Sequence, residues 1–214
     1  MKLIIVRHGY STSNASGCYT GQLDAPLSDL GYKQAQRLCD YFRTADAPHI
    51  DAIYSSDLCR AIDTVSPTAQ SLGLPVTLLP ALRELDTGLW TGVPYGEVKE
   101  RYAEDFLRYA QSVDAPCTGG ESLREGCTRA LRAIEEIEKR HPNGTVLLCS
   151  HAMLSRLFTA LSRGHGIEGI LQTKAPANAS FSIYELEGDR VTPLVTDHTA
   201  HLTTLTQTSL PGLV

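Results

Sequence analysis

The sequence contains no Cys-x-x-Cys pair, no basic excess, no internal repeat or low-complexity tract, and no apolar run approaching a membrane span. Each absence excludes a class of protein. Six cysteines are present, Cys18, Cys39, Cys59, Cys117, Cys127 and Cys149. Without paired spacing or a secretory leader they read as free thiols, not as a disulfide frame or a zinc knuckle. Lysine and arginine number 19 against 24 aspartates and glutamates, a net charge of −5, which argues against nucleic-acid binding through bulk basicity. Only Leu3–Val6 precede Arg7 as an apolar stretch, too short for a signal-peptide core, and a membrane span needs about 20 apolar residues. The expectation is a soluble, cytoplasmic protein with a small-molecule ligand and with neither nucleic acid nor membrane as partner. A homo-oligomer stays open.

What is present is ordinary globular material: 214 residues, 42% hydrophobic and 20% charged, enough for one domain, 1–214, with a substantial core. Short apolar runs rich in β-branched residues predict strands at Lys2–Val6, Asp51–Ser55, Pro75–Leu79 and Thr145–Cys149. Helical spacing predicts helices from a Ser28 cap to about Thr44, from Asp57 to about Leu72 with Pro67 ending or kinking it, over Glu121–His141, and over Ala152–Leu161. Phe181–Leu186 and Arg190–Val195, joined by Glu187-Gly188-Asp189, read as a closing hairpin. Residues 86–120, rich in glycine and proline around a helical stretch, read as an insertion over one end of the sheet. Strands alternating with helices imply a layered α/β fold with a mostly parallel sheet, whose ligands bind beyond the carboxyl ends of the strands.

At those ends stand residues with one shared chemistry. The first strand runs into Arg7-His8-Gly9, the second into Ser55–Arg60, the third through Pro80 to Arg83-Glu84, and the fourth into Ser150-His151. Guanidinium groups and imidazoles match the oxygens of a tetrahedral oxyanion. An imidazole can attack phosphorus, and a carboxyl such as Glu84 can protonate a leaving oxygen and then activate water. No His/Cys/Asp/Glu cluster has metal-ligand spacing, so side chains would neutralise the charge. His198 and His201 lack a third ligand nearby and read as a structural tail. Taken singly, each of these residues also fits a structural or surface role.

The blocks that hold these residues resemble the histidine phosphatase superfamily, also called phosphoglycerate mutase-like. Arg7-His8-Gly9-Tyr10-Ser11-Thr12-Ser13-Asn14 resembles its RHG signature, and Thr20–Ala35, Ser55–Ala61, Leu82–Gly92, Gly119–Ser122 and Ser150-His151 follow in the family's order. The resemblance spans nearly the whole chain. It implies a three-layer α/β/α sandwich and a metal-independent phosphatase of small phosphate monoesters. In that reading His8 becomes a phosphohistidine, Arg7, Arg60 and His151 hold the phosphoryl oxygens with Asn14 assisting, Glu84 donates the proton, and Gly21 lines the pocket. No cofactor is implied. Tyr10 stands where glutamate or glutamine is common, which predicts an altered pocket wall or a solvent-facing ring; Ala152 stands where glycine is usual.

A phosphoglycerate mutase is the alternative, and a non-catalytic phosphate-binding module is a further one. The longer insertion and ER-x-YG pattern of classical mutases are missing after Glu84, which favours a phosphatase. The 85–122 segment carries Lys99, Arg101 and Arg108 against Asp86, Glu97, Glu100, Glu104, Asp105, Asp114 and Glu121. Helical spacing predicts pairs Glu97–Arg101 and Glu104–Arg108. An acidic cover with Tyr95, Tyr102, Phe106 and Tyr109 predicts a monophosphate ester with an uncharged or aromatic leaving group. An ordinary imidazole titrates near about 6.5 and an ordinary carboxyl near about 4.3, so attack by one and protonation by the other predict a bell-shaped profile on the acidic to neutral side.

Overall fold

The two longest apolar runs become the centre of the sheet. A computed structural model describes residues 1–203 and 205. Among them are strands β1 (Lys2–Arg7), β2 (Ala52–Ser55), β3 (Val76–Leu78), β4 (Thr145–Ser150), β5 (Phe181–Glu187) and β6 (Arg190–His198). They form one sheet in the order β3-β2-β4-β1-β5-β6. The first four are mutually parallel; β5 runs antiparallel to both β1 and β6. Burial on both faces explains why β1 and β4 are continuous hydrophobic runs and not alternating ones.

The helices divide between the two faces. Leu38 and Phe42 of α2 (Asp29–Phe42) and Ala61, Val65 and Ala69 of α3 (Cys59–Leu72) pack with Ile4, Val6, Leu147 and Cys149. On the other face, α6 (Leu123–Arg140) and α7 (Ala152–Ser162) pack with Leu3, Ile5, Val146 and Leu148. This is the expected three-layer α/β/α arrangement. A short helix, α1 (Thr12–Ser16), which the hydrophobic pattern does not predict, is built by reciprocal bonds between Ser11 and Asn14.

Three expectations need correction. Pro67 does not end α3, which continues to Leu72 and stops at Gly73 in the left-handed conformation. The missing proline N–H is tolerated because Ala61, Val65 and Ala69 hold the helix against the sheet on both sides of it. The last strand runs on to His198, beyond the predicted Val195. In the insertion, Arg101 pairs with Glu97 at 3.5 Å as the spacing predicts, but Arg108 pairs with Asp105 and not with Glu104.

The insertion is otherwise two helices, α4 (Tyr95–Arg101) and α5 (Ala103–Gln111), arranged around Trp90. This indole is fully buried and meets Tyr19, Tyr102, Phe106 and Tyr109 at 5.3–6.4 Å between ring centroids. Aromatic packing, with a contribution beyond burial of roughly 0.5–1.5 kcal/mol per pair, fixes the cover over the strand ends. Among the described residues, no helix is long and apolar enough to cross a membrane.

Candidate active site

Parallel pairing brings the strand-end motifs together. β1 and β4 run in register to Arg7 opposite Ser150, and the His8 N–H donates to the Ser150 carbonyl at 2.9 Å. His8 and His151 therefore follow neighbouring strands, their rings 5.1 Å apart. β2 ends beside β4, placing Ser56 against His151. Arg60 lies in the first turn of α3. β3 leads through Pro80–Leu82, which Ser150 Oγ anchors by donating to the Leu82 carbonyl at 2.8 Å, and delivers Glu84.

The hydrogen bonds define the imidazoles. His8 Nδ1 lies 2.7 Å from the Gly9 carbonyl. A carbonyl only accepts, so Nδ1 carries the proton and Nε2 carries the lone pair. Burial, then the charges of Arg60 and Arg7, hold the His8 pKa well below the usual imidazole range. His151 is likewise depressed, by burial and then by Arg60. Ser56 Oγ accepts from the Leu58 N–H at 3.3 Å and lies 2.9 Å from His151 Nε2. With the Ser56 hydroxyl donating to Nε2, the neutral ring carries its proton on Nδ1, a buried atom without a partner.

Arg60 is fixed by donating to the carbonyls of Leu23 at 2.7 Å and Gly21 at 2.9 Å, and Arg7 by donating to the carbonyl of Pro176. Their Nε atoms are buried and unpartnered. Buried donors without acceptors are costly and uncommon; two guanidinium edges and one imidazole of this kind in one place match an oxyanion. Glu84 is held at the start of α7, its carboxylate accepting from the N–H groups of Leu85 at 3.0 Å, Ala152 at 3.1 Å and Met153 at 3.3 Å. A helix N-terminus favours such an acceptor.

Arg7, His8, Asn14, Gly21, Arg60 and Glu84 line one cavity of about 120 Å³. His151 is fully buried beside His8 and not in the wall. Asn14 Oδ1 is occupied by the Ser11 N–H at 3.0 Å, so its amide NH2 is the free donor. Gly21 has φ +49, and a Cβ there would overlap Thr87 Oγ1; the close approach explains the glycine. Ala152 lines the cavity, whereas Tyr10 does not, so the altered wall expected from Tyr10 is absent.

The acidic cover also needs correction. None of its seven carboxylates reaches the cavity. Asp105 is taken by Arg108 and Thr118, Asp114 by Arg124, Glu121 by Arg129, and Glu97 by Arg101. The insertion instead presents Thr87, Tyr95 and Tyr109 to the cavity, and α7 adds Met153 and Arg156. Net charge counted along a segment does not say which side of the cover each carboxylate faces.

Sequence reasoning misses Arg156, four residues after Ala152 and so on the same face of α7; that spacing is the available signal. It also misses the 176–180 segment, which belongs to no recognised block. The Ala179 N–H donates to the carbonyls of Arg7 at 2.9 Å and His8 at 3.1 Å, and Asn178 Nδ2 donates to the His8 carbonyl at 3.0 Å. Ala179 holds φ +58 to do so, a conformation that costs a non-glycine residue of order 1 kcal/mol.

His198 and His201 stack at 5.5 Å beside Phe181, and His201 Nε2 bonds to the Ala179 carbonyl. Among the described residues, no group of three or more His, Cys, Asp or Glu is placed to hold a metal ion. Burial lowers the pKa of both, that of His201 to about 4. With His8 and His151, four histidines are thus harder to protonate folded than unfolded. Below about pH 6.5 the unfolded chain binds more protons, so stability falls as pH falls through that value. The melting temperature is expected to drop between pH 7 and pH 5, and to drop less in a His201→Asn variant; a flat thermal-unfolding profile across that window would contradict the assignment.

Residues 3–198 match the sequence model of the histidine phosphatase superfamily, branch 1. Phosphoserine phosphatase 1 of Hydrogenobacter thermophilus is 36% identical over 203 residues, 94% of each chain. A metal-independent phosphoserine phosphatase of Arabidopsis thaliana is 29% identical over 88% of this chain and 78% of its own. Among solved structures, Bacillus stearothermophilus YhfR superposes with a TM-score of 0.85 at 25% identity, covering 94% of this chain and 98% of that one.

Proposed function

Because the chain belongs to the histidine phosphatase superfamily, branch 1, we propose that it is a phosphoric monoester hydrolase that works through a phosphohistidine on His8 and needs no metal. The observation that carries this reading is the His8 Nδ1–H bond to the Gly9 carbonyl, which leaves Nε2 unprotonated in a wall shared with Arg7, Arg60 and Glu84.

In the first step Nε2 attacks phosphorus in line, the P–O bond to the leaving alcohol breaks, and the acid form of Glu84 gives its proton to the departing oxygen. The unpartnered edges of Arg7 and Arg60 and the Asn14 amide, all in the wall, hold the phosphoryl oxygens, and the Nδ1–H of His151, buried beside His8, is the next donor inward. In the second step Glu84, now a carboxylate, takes a proton from water as the water oxygen attacks phosphorus and the P–N bond breaks. Phosphate leaves, and His8 and Glu84 return to their starting forms. The depressed pKa of His8 keeps the nucleophile neutral below the ordinary imidazole range, so the acidic limb of activity lies lower than an unperturbed histidine would set it.

The test is phosphate release in excess EDTA from p-nitrophenyl phosphate and from O-phosphoserine, the ester named for the first relative. Release that EDTA leaves intact is the expected outcome. Loss of release on chelation, or interconversion of 3-phosphoglycerate without net release, would overturn it, the second in favour of a mutase.

A further inference from the structure

Arg156 is a fixed cation for which the reaction has no use. On α7, its Nε donates to the Thr173 carbonyl at 2.7 Å and its Nη2 to the Ile170 carbonyl at 2.6 Å. These bonds hold the guanidinium still without neutralising it. No carboxylate pairs with it among the described residues, and it lies in the wall of the cavity that holds His8. It is near enough to Arg7 and to Tyr109 to act on both electrostatically. Tyr95 and Tyr109 share that wall.

Charge matching points to what this cation reads. A phosphate ester dianion is balanced by Arg7 and Arg60, because both imidazoles are neutral. Glu84 is the cavity's one carboxyl. Its oxygens are occupied by backbone N–H groups, and it is uncharged in the form that starts the reaction. Arg156 then remains as one unmatched positive charge in a partly buried site, where an anion is favoured over water alone. A cavity of about 120 Å³ lies well below the roughly 300 Å³ at which drug-sized ligands begin to fit, so that anion must sit within a few atoms of the phosphate.

We propose that Arg156 binds a carboxylate on the leaving alcohol, so that the preferred substrates are short phosphorylated hydroxy acids, O-phosphoserine among them. The inference rests on the phosphatase reading above. It replaces the uncharged or aromatic leaving group that the acidic cover suggested. Nη1 supplies the charge-assisted hydrogen bond, and the Tyr95 and Tyr109 hydroxyls are available to the second carboxylate oxygen or to a neighbouring polar substituent. Arg156 is in this sense a specificity residue: it touches the part of the substrate that does not react.

O-phosphoserine and O-phosphoethanolamine differ only by the carboxylate. Their kcat/KM ratio in EDTA is expected to be about 10²-fold or more in favour of phosphoserine, the range for a charged hydrogen bond in a partly buried site. Arg156→Gln is expected to bring the ratio close to one, chiefly by raising KM for phosphoserine. Arg156→Lys is expected to fall between, because it keeps the charge but loses the planar fork. If Arg156 only tethers the 170–173 segment, both esters suffer equally and the ratio stays at its original value, which would overturn the proposal. A ratio near one in the unaltered protein would overturn it as well, without recourse to any variant that fails to fold. Calorimetric binding of the two esters to His8→Asn reads the same preference without turnover. A protein that binds phosphoserine selectively but hydrolyses nothing therefore sinks the phosphatase reading and leaves the carboxylate site standing.

Discussion

His8→Asn is expected to lower kcat/KM by about 10⁴-fold or more, equivalent to roughly 5.5 kcal/mol of lost transition-state stabilisation. Asparagine is the informative replacement because its Nδ2 falls near the position of imidazole Nδ1. It can keep the donation to the Gly9 carbonyl, which His8 makes at 2.7 Å, while removing the nitrogen that attacks. The neighbouring Arg7 stays fixed by Pro176, and the backbone of His8 remains tied to Ser150, Ala179 and Asn178. The fold and the oxyanion pocket are thus expected to persist, visible as an unchanged circular dichroism spectrum and as retained binding of inorganic phosphate. Denaturation of the unaltered protein in alkaline detergent, where the P–N bond survives, after a pulse of ³²P-labelled ester should show label on the chain that is absent from the variant. Turnover within tenfold of the original would remove His8 from the role of nucleophile and leave the site in need of another.

Much of this site is legible in the amino-acid sequence because its chemistry hangs on strand ends. Arg7, His8 and His151 follow directly on buried apolar runs, and the parallel pairing of β1 with β4 is enough to bring them together. Glu84 is also readable, as the end of the third strand's exit. What cannot be read is what holds these groups. The loop carrying Pro176, Asn178 and Ala179 is about 170 residues away in sequence from Arg7 and His8, has no hydrophobic period, and acts through backbone carbonyls that any residue possesses. Periodicity carries α3 to Leu72 as observed, but local propensity alone cannot say that Pro67 leaves it unbroken, because it leaves out the packing of Val65 and Ala69. The cover misleads for a related reason: periodicity reports which residues are buried, but a carboxylate at a helix surface can turn to a neighbouring arginine or to the cavity with the same spacing. Arg156 is hidden by its own anchoring, since a guanidinium tied to two carbonyls resembles a structural residue until its unpaired third nitrogen and the cavity wall are seen together.

Glu84→Gln is expected to separate the two chemical steps. The three N–H donors that hold the carboxylate come from Leu85, Ala152 and Met153. The Glu84 backbone is tethered as well, its carbonyl accepting from Gln22 and Arg129 at 3.3 Å. Glutamine keeps one acceptor oxygen for these donors but must turn an NH2 group toward one of them, so the side chain shifts and can neither donate nor accept a mobile proton. With an alkyl ester such as O-phosphoserine the leaving alkoxide needs a proton, and kcat should fall by about 10²–10⁴-fold. With p-nitrophenyl phosphate the leaving phenolate is stable without one, so transfer of the phosphoryl group to His8 should be slowed far less. Breakdown of the phosphohistidine still requires a base to activate water. The variant should therefore release one equivalent of p-nitrophenol per site in a rapid burst and then turn over slowly, with the phosphoenzyme accumulating. Stopped-flow absorbance gives the burst amplitude, and label retained after an alkaline detergent quench gives the phosphoenzyme. A uniform loss on both esters, with no burst, would mean that Glu84 serves only to fix the start of α7 and that the proton comes from elsewhere in the cavity.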